Sequence, residues 1–338
     1  MRRVTVAAMR ILVLGAGAIG SVFGAKLASA NDVTLIGRPD HVRAIEDAGL
    51  HIEGIENQIV RVRATTHIER ILPNTLILVT TKVPATVPAL EPVVPLVRDD
   101  TTIVALQNGL DSDRIVRDTV RGRGAVIRGI TQVGAIFDRP GTIQYMARGS
   151  TLLENHERSQ SVADVLDAAG LECRISPDIK TEVWRKLVFN CVVNPITTIL
   201  KCTVGEIADP SLSRLNQLVI DECVAVAAAE GISLDIDFMN EINLAYAGSP
   251  NTVSMRQDVL RGRSTEIDYL NGAIVALGAR HGLDCPVNDA LTGIIKAMET
   301  ASKDNRGGPR LPPQELRTQT TIRAGVRTPE TTSSEIIR

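Results

Sequence analysis

The stretch RILVLGAGAIGSVFGAKLASA, Arg10 to Ala30, decides how the first half of the chain is read. A short apolar run from Arg10 to Leu14 meets the turn GAGAIG at Gly15–Gly20, and a helical pattern follows. Strand, glycine turn and helix in that order suit a phosphate-bearing ligand. Gly15 permits a tight turn, Gly17 lets the backbone approach a pyrophosphate, and Gly20 lets helix and strand pack closely. The phosphates would then lie at the positively polarised helix N-terminus. Gly15, Gly17, Ala18, Ile19 and Gly20 are therefore candidate cofactor-binding residues, against the alternative of a glycine turn with no ligand.

The next strand, DVTLIG at Asp32–Gly37, ends where a dinucleotide site distinguishes its cofactor. An acidic residue there would bind the ribose 2′-hydroxyl of NAD. Arg38 stands there instead and suits the 2′-phosphate of NADP, so NADPH is the expected cofactor. Asp40 follows Pro39 and reads as the cap of the helix that comes next. Further strands are expected at Gln58–Ala64, Leu76–Thr81, Thr101–Leu106 and Ala125–Gly129, alternating with helical or irregular segments. Such alternation implies a mainly parallel, doubly wound sheet of Rossmann type, covered on both faces.

Ligands bind beyond the carboxyl ends of the strands in these sheets, and Thr80-Thr81-Lys82 and Gln107-Asn108-Gly109 fall there. Lys82 is a candidate for the adenosine phosphate and Asn108 for the nicotinamide ribose or the substrate. As isolated residues each also reads as structural, with Asn108-Gly109 making a plain turn. Pro84, Pro88, Pro92 and Pro95 should kink or break the crossover helix between them. Thr131–Glu154, turning at Pro140-Gly141, reads as an antiparallel hairpin added to the sheet. A helix over Arg158–Ala169 and a strand over Leu171–Ile175 complete the domain, and Ser176-Pro177-Asp178 marks its end.

Composition sets the limits. A chain of 338 residues is long enough for two cores. With 44% apolar and 22% charged residues it resembles an ordinary globular protein, and a net charge of -2 argues against nucleic acid as a partner. Aromatics at 2% leave little for base stacking. Five widely spaced cysteines without a CxxC pair suit a reducing cytoplasm and offer no metal site. Arg2 and Arg3 precede an apolar run as in a signal peptide, but Arg10 and the glycines interrupt it, so neither export nor a membrane span is expected. Met9 serves equally well as a start.

Beyond Asp178 helical signals take over, with helices expected over about 179–200, 211–230, 236–246, 256–281 and 287–301. The first of them carries EVWRKLVFNCVVNPITTIL at Glu182–Leu200, where Lys186, Asn190 and Asn194 fall at a four-residue repeat and share one face. A lysine and two amides among apolar neighbours need partners, because burying them unpaired costs a few kcal/mol or more. They face either a cleft with its ligand or an interhelical polar network. In the fourth helix Ile267, Leu270, Ile274 and Leu277 form the buried stripe, Glu266 lies beside it, and Ser254 precedes it as an N-cap. His281 reads as a surface residue compensating a helix C-terminus. The expected organisation is a nucleotide-binding domain over 1–177, an all-α substrate domain over 178–302, and a polar disordered tail over 303–338.

From Met9 to Met298 the chain resembles the ketopantoate reductase (2-dehydropantoate 2-reductase) family. The matching motifs are GAGAIG at 15–20, Arg38, TTK ending at Lys82, QNG at 107–109, KLVFNCVVNP at 186–195, SMRQD at 254–258 and TEIDYLNG at 265–272. The resemblance implies NADPH-dependent reduction of 2-dehydropantoate to (R)-pantoate, on the way to pantothenate and coenzyme A. It implies Lys186 as general acid and Glu266 as the carboxylate orienting the site. Asn108, Asn190, Asn194 and Ser254 become substrate-binding residues. A reductase of another 2-oxo acid, an opine-type dehydrogenase, or a non-catalytic NADPH sensor are the alternatives. A homodimer through the helical half is compatible with the sequence but not required by it.

Overall fold

The computed structural model describes residues 8–304, so residues 1–7 and the expected tail beyond its first two residues lie outside the described residues. The first half runs β1 (Arg10–Leu14), α1 (Ala18–Leu27), β2 (Asp32–Ile36), α2 (Pro39–Ala48), β3 (Leu50–Gly54), β4 (Gln58–Val60), β5 (Arg63–Thr65) and β6 (Thr75–Val79). It continues through α3 (Thr86–Leu90), β7 (Thr102–Ala105), α4 (Ser112–Val120), β8 (Ala125–Thr131), β9 (Gly134–Arg139), β10 (Thr142–Ala147), β11 (Thr151–Glu154), α5 (Ser159–Ala168) and β12 (Cys173–Ser176). The second half is helical: α6 (Ile179–Leu200), α7 (Ser213–Ala229), α8 (Phe238–Tyr246), α9 (Ser254–Leu260), α10 (Asn271–Arg280) and α11 (Pro286–Asp304).

Strand alternation explains the double winding. Ile11 and Val13 of β1 and Leu76 and Leu78 of β6 enter one core, while Leu14, Ile77 and Val79 enter a second core on the opposite face of the same sheet. The main sheet has the order β12-β11-β8-β7-β6-β1-β2-β5, and its run from β5 to β8 is parallel throughout. Strand order switches at β1, where the chain passes first to β2 on one side and later to β6 on the other, which places the glycine turn at the topological switch point where such sheets bind nucleotides. A third core, separate from these two, is built by the helical half around Leu187, Val188, Cys191 and Val192 of α6.

Three expectations need correction. The strand foreseen over Gln58–Ala64 is two short strands in different sheets: β4 pairs with β3, and β5 pairs with β2. The hairpin β9–β10 does not extend the main sheet but joins β3 and β4 in a four-stranded sheet of its own, packed over α1; only β11 returns to the main sheet, antiparallel to β8. Asp40 does not cap α2, because Arg38 occupies the N-cap position, Pro39 follows it, and Asp40 lies inside the first turn.

The helix foreseen over 256–281 is also broken. Gly262 adopts φ 57°, its N–H bonds to the carbonyl of Val259, and the N–H of Arg263 bonds to that of Asp258. This paired closure with a left-handed glycine is a Schellman stop, and it ends α9 two residues earlier. Ser254 is accordingly the first residue of α9, with Val253 at the cap and no capping bond from the serine. The proline-rich segment after Lys82 breaks as expected into a 3-10 turn over Val83–Ala85, the short α3, and a second turn over Val94–Leu96.

Candidate active site

The local reason for α6 is clear at both ends. The Asp178 carboxylate accepts from the Thr181 N–H at 3.2 Å and so caps the helix, and Lys201 ends it at φ 56°. Pro195 lies inside, and its missing N–H leaves the carbonyl of Cys191, four residues back, without a helical partner. Asn271, fully buried at the start of α10, donates to that carbonyl at 2.9 Å and to Asn288 of α11 at 2.9 Å. The carbonyl that Pro195 leaves open is thus the socket that ties α6 to α10.

On that face the Lys186 ammonium donates to the carbonyl of Thr131, the last residue of β8, at 2.6 Å. The bond carries the helix across to the carboxyl edge of the parallel sheet. Burial, reinforced by the nearby Arg128 guanidinium and opposed by Glu266, pushes the Lys186 ammonium down to about 8. Asn190 and Asn194 have no side-chain hydrogen bond among the described residues, although Asn194 is only 9% exposed. Neither amide joins an interhelical network among the described residues, so both are open to a partner from the cleft. Ser254 is exposed and likewise has no side-chain bond among the described residues.

Glu266 sits in the loop between α9 and α10, immediately before a 3-10 turn over Ile267–Tyr269, and not on a helix face. From there its carboxylate accepts from Asn108 Nδ2 at 3.2 Å and from the Val83 N–H at 3.2 Å, so it spans both halves of the molecule. Asn108 is held in turn by its loop: Gln107 beside it donates to Thr86 Oγ1 at 2.9 Å, and Gly109 turns at φ 85°, where a side chain would meet the Tyr269 carbonyl at 3.0 Å. Lys186, Glu266 and Asn108 therefore converge, with Asn190 and Asn194 along α6.

Lys82 has partners of its own: its ammonium meets the carboxylate of Asp258 at 2.5 Å and the carbonyl of Ser264 at 3.3 Å, a contact between the two halves of the chain. Asp258, buried on α9, was not foreseen, since nothing in its local sequence announces a partner 176 positions away in the chain.

The glycine turn fits a dinucleotide. Gly15 has φ 108°, and a side chain there would strike the backbone of Thr80 and Thr81. A Cβ on Gly17 would meet only the Gly15 carbonyl, at 3.9 Å, so space for a ligand opens directly over the N-terminus of α1. Ala18 and Ile19 form the first turn of that helix, and their N–H groups point out of it. Arg38 is exposed at the N-cap of α2, and its side chain makes no ion pair or hydrogen bond among the described residues.

A nucleotide cradle at a sheet's switch point, closed by a lysine-bearing helix from a second domain, defines a two-domain Rossmann-type oxidoreductase. Residues 11–158 match the family described as ketopantoate reductase PanE/ApbA, and residues 178–299 match its C-terminal domain. The chain belongs to the ketopantoate reductase family. It is 37% identical to a 2-dehydropantoate 2-reductase of Pyrococcus horikoshii over 300 residues, covering 86% of this chain and 98% of the relative. A Pyrococcus abyssi 2-dehydropantoate 2-reductase is 38% identical over 301 residues, with the same shares covered. Among solved structures, a PanE/ApbA family ketopantoate reductase from Ralstonia eutropha superposes with a TM-score of 0.79 at 29% identity, over 87% of this chain and 100% of that one. D-mandelate dehydrogenase in complex with NADH and anilino(oxo)acetate reaches 0.81 at 29% identity, over 87% and 99%.

Proposed function

We propose that the chain reduces 2-dehydropantoate to (R)-pantoate with NADPH, in the supply of pantothenate and coenzyme A. Residues 1–177 act as the nucleotide domain and 178–302 as the substrate domain, in a soluble cytoplasmic enzyme. The observation that carries this reading is the Lys186 ammonium, held over the carboxyl edge of the sheet beside two unpaired amides. Gly15, Gly17, Ala18, Ile19 and Gly20 would cradle the pyrophosphate, and Arg38 would take the 2′-phosphate. When bound, the nicotinamide supplies the hydride that reduces the keto carbon.

The chain's own residues do the rest. Negative charge grows on the keto oxygen as the carbon is reduced, and the Lys186 ammonium stabilises that oxyanion more than it does the neutral ketone. It then donates its proton. An ammonium lowered to about 8 is still protonated at neutral pH yet releases its proton readily, close to the optimum for a general acid. The Thr131 carbonyl takes one of its three donors and fixes its direction, leaving two for the substrate. Asn190, Asn194 and Ser254 bind the carboxylate and hydroxyl groups of the oxo acid. Glu266 orients Asn108, which reaches the substrate and the ribose. Reduction of a different 2-oxo acid on the same machinery is the second reading, favoured by the likeness to D-mandelate dehydrogenase.

The test is oxidation of NADPH at 340 nm with 2-dehydropantoate beside other 2-oxo acids, and NADH beside NADPH with Arg38→Ala as control. A preference for 2-dehydropantoate, and a preference for NADPH that disappears in Arg38→Ala, support the proposal. Turnover confined to another oxo acid refutes the substrate and leaves the chemistry standing.

A further inference from the structure

Arg128 occupies the middle of β8, where its neighbours Val126, Ile127 and Ile130 are all buried apolar residues, and it is itself 3% exposed. A guanidinium so placed costs several kcal/mol unless well partnered. Its partners are few. Nη2 donates to the Gly109 carbonyl at 2.8 Å and Nη1 lies 4.0 Å from Asp113, but Nε and Nη1 have no hydrogen-bond partner among the described residues. Burial lowers it to about 10, so it remains a cation at neutral pH. A charge kept at that expense within a strand calls for a role.

Two contacts supply one. Gly109 closes the loop whose Asn108 donates to Glu266, and Lys186 is anchored on Thr131, three positions further along the strand that carries Arg128. We infer that Arg128 is a positioning residue for the reduction proposed above: it clamps the Gly109 carbonyl, so holding Asn108 against Glu266, and it presents a fixed positive charge to Lys186. The inference rests on the reading of Lys186 as proton donor. The charges facing Lys186 are Arg128 from β8 and Glu266 from the loop before α10; those facing Arg128 are Asp111 and Asp113 at the start of α4 and Glu154 on β11. The field on Lys186 is therefore set mainly by one cation and one anion on opposite sides of the domain boundary.

Two variants separate the clamp from the charge. Arg128→Lys keeps the charge and removes the fork, whereas Arg128→Gln, whose amide ends where Nε stood, removes both the charge and the reach to the Gly109 carbonyl, so a titration shift confined to Arg128→Gln reports the charge. Each is read by the pH profile of kcat and by NMR titration of lysine carbons labelled at Cε, with Lys186→Ala identifying the resonance. In Arg128→Gln, Lys186 should titrate about one pH unit higher, and the alkaline limb of kcat should move with it. The shift should stop short of 10.5, because burial is the larger cause. Arg128→Lys should leave both titrations in place and lower kcat/KM about 10-fold, as Asn108 loses its support. An unmoved Lys186 titration in Arg128→Gln overturns the inference, and so does a lowered melting temperature with both readouts unchanged. A shifted resonance in a protein with no turnover on 2-dehydropantoate upholds the field from Arg128 and refutes the substrate assignment, so the two failures are distinguishable.

Discussion

Replacing Lys186 by methionine should sharply lower turnover and stabilise the fold at neutral pH. The folded protein holds this ammonium at about 8 against an ordinary 10.5, chiefly through burial. Below pH 8 both folded and unfolded chains are protonated, and the folded state bears the full penalty, at most about 3 kcal/mol at 1.36 kcal/mol per unit. Between pH 8 and 10.5 the unfolded chain binds more protons, so stability rises with pH, and above 10.5 the penalty is gone. Methionine fills similar space without charge, but it leaves the Thr131 carbonyl without its 2.6 Å donor, a loss of about 1 kcal/mol. The net gain is about 1–2 kcal/mol at pH 7, and a chain of this size gains roughly 1.5 °C in Tm per kcal/mol. Thermal melts of wild type and variant from pH 6 to pH 10 check it, beside kcat/KM, which should fall about 10²-fold or more. A variant less stable than wild type at pH 7, or a difference that does not shrink as pH rises, refutes the reasoning that this ammonium is held against burial for the sake of its chemistry.

Three further outcomes follow from the same geometry. If Lys186 is the proton donor proposed above, kcat for reduction should fall as pH rises through about 8 while the reverse oxidation gains over the same interval; stopped-flow rates across pH 6–10 report both limbs. His41, buried between Ser21 Oγ at 3.1 Å and the Gly141 N–H at 2.9 Å, is lowered by burial to about 4 and stays neutral when folded. Its depressed value means stability is complete above pH 6.5 and is lost as pH falls toward 4, by about 3 kcal/mol, and denaturant titrations of His41→Gln should lack that slope. Gly17→Ala should leave Tm within about 1 °C yet weaken NADPH binding about 10-fold, since its Cβ enters the cradle, whereas Gly20→Ala meets the Gly15 carbonyl and Thr80 Oγ1 and should lose about 2 kcal/mol or more. Calorimetry with cofactor titration distinguishes them, and equal effects on both quantities in both variants would refute the assignment.

Much of this protein was legible because its signals are local. The glycine turn is written in steric terms that hold wherever it occurs: Gly15 at φ 108° admits no Cβ, and the strand before it and the helix after it declare themselves by their apolar periods. The row of Lys186, Asn190 and Asn194 needs only the pitch of a helix. The stop at Gly262 is equally local, but the apolar stripe that continues beyond it masks it in the sequence. What the tertiary structure alone decided is the choice of partner across long separations. Gln58–Val60 joins β3 and Arg63–Thr65 joins β2, although the two segments lie side by side in sequence. Lys82 turns to Asp258, Glu266 reaches Val83 and Asn108, Asn271 fills the carbonyl that Pro195 leaves open, and Arg128 is buried under Gly109. Helical pitch and turn sterics are properties of a few consecutive residues, whereas a buried charge or amide takes whatever partner the packing of two separate cores brings within 3 Å or so, and that distance exists only once both have folded.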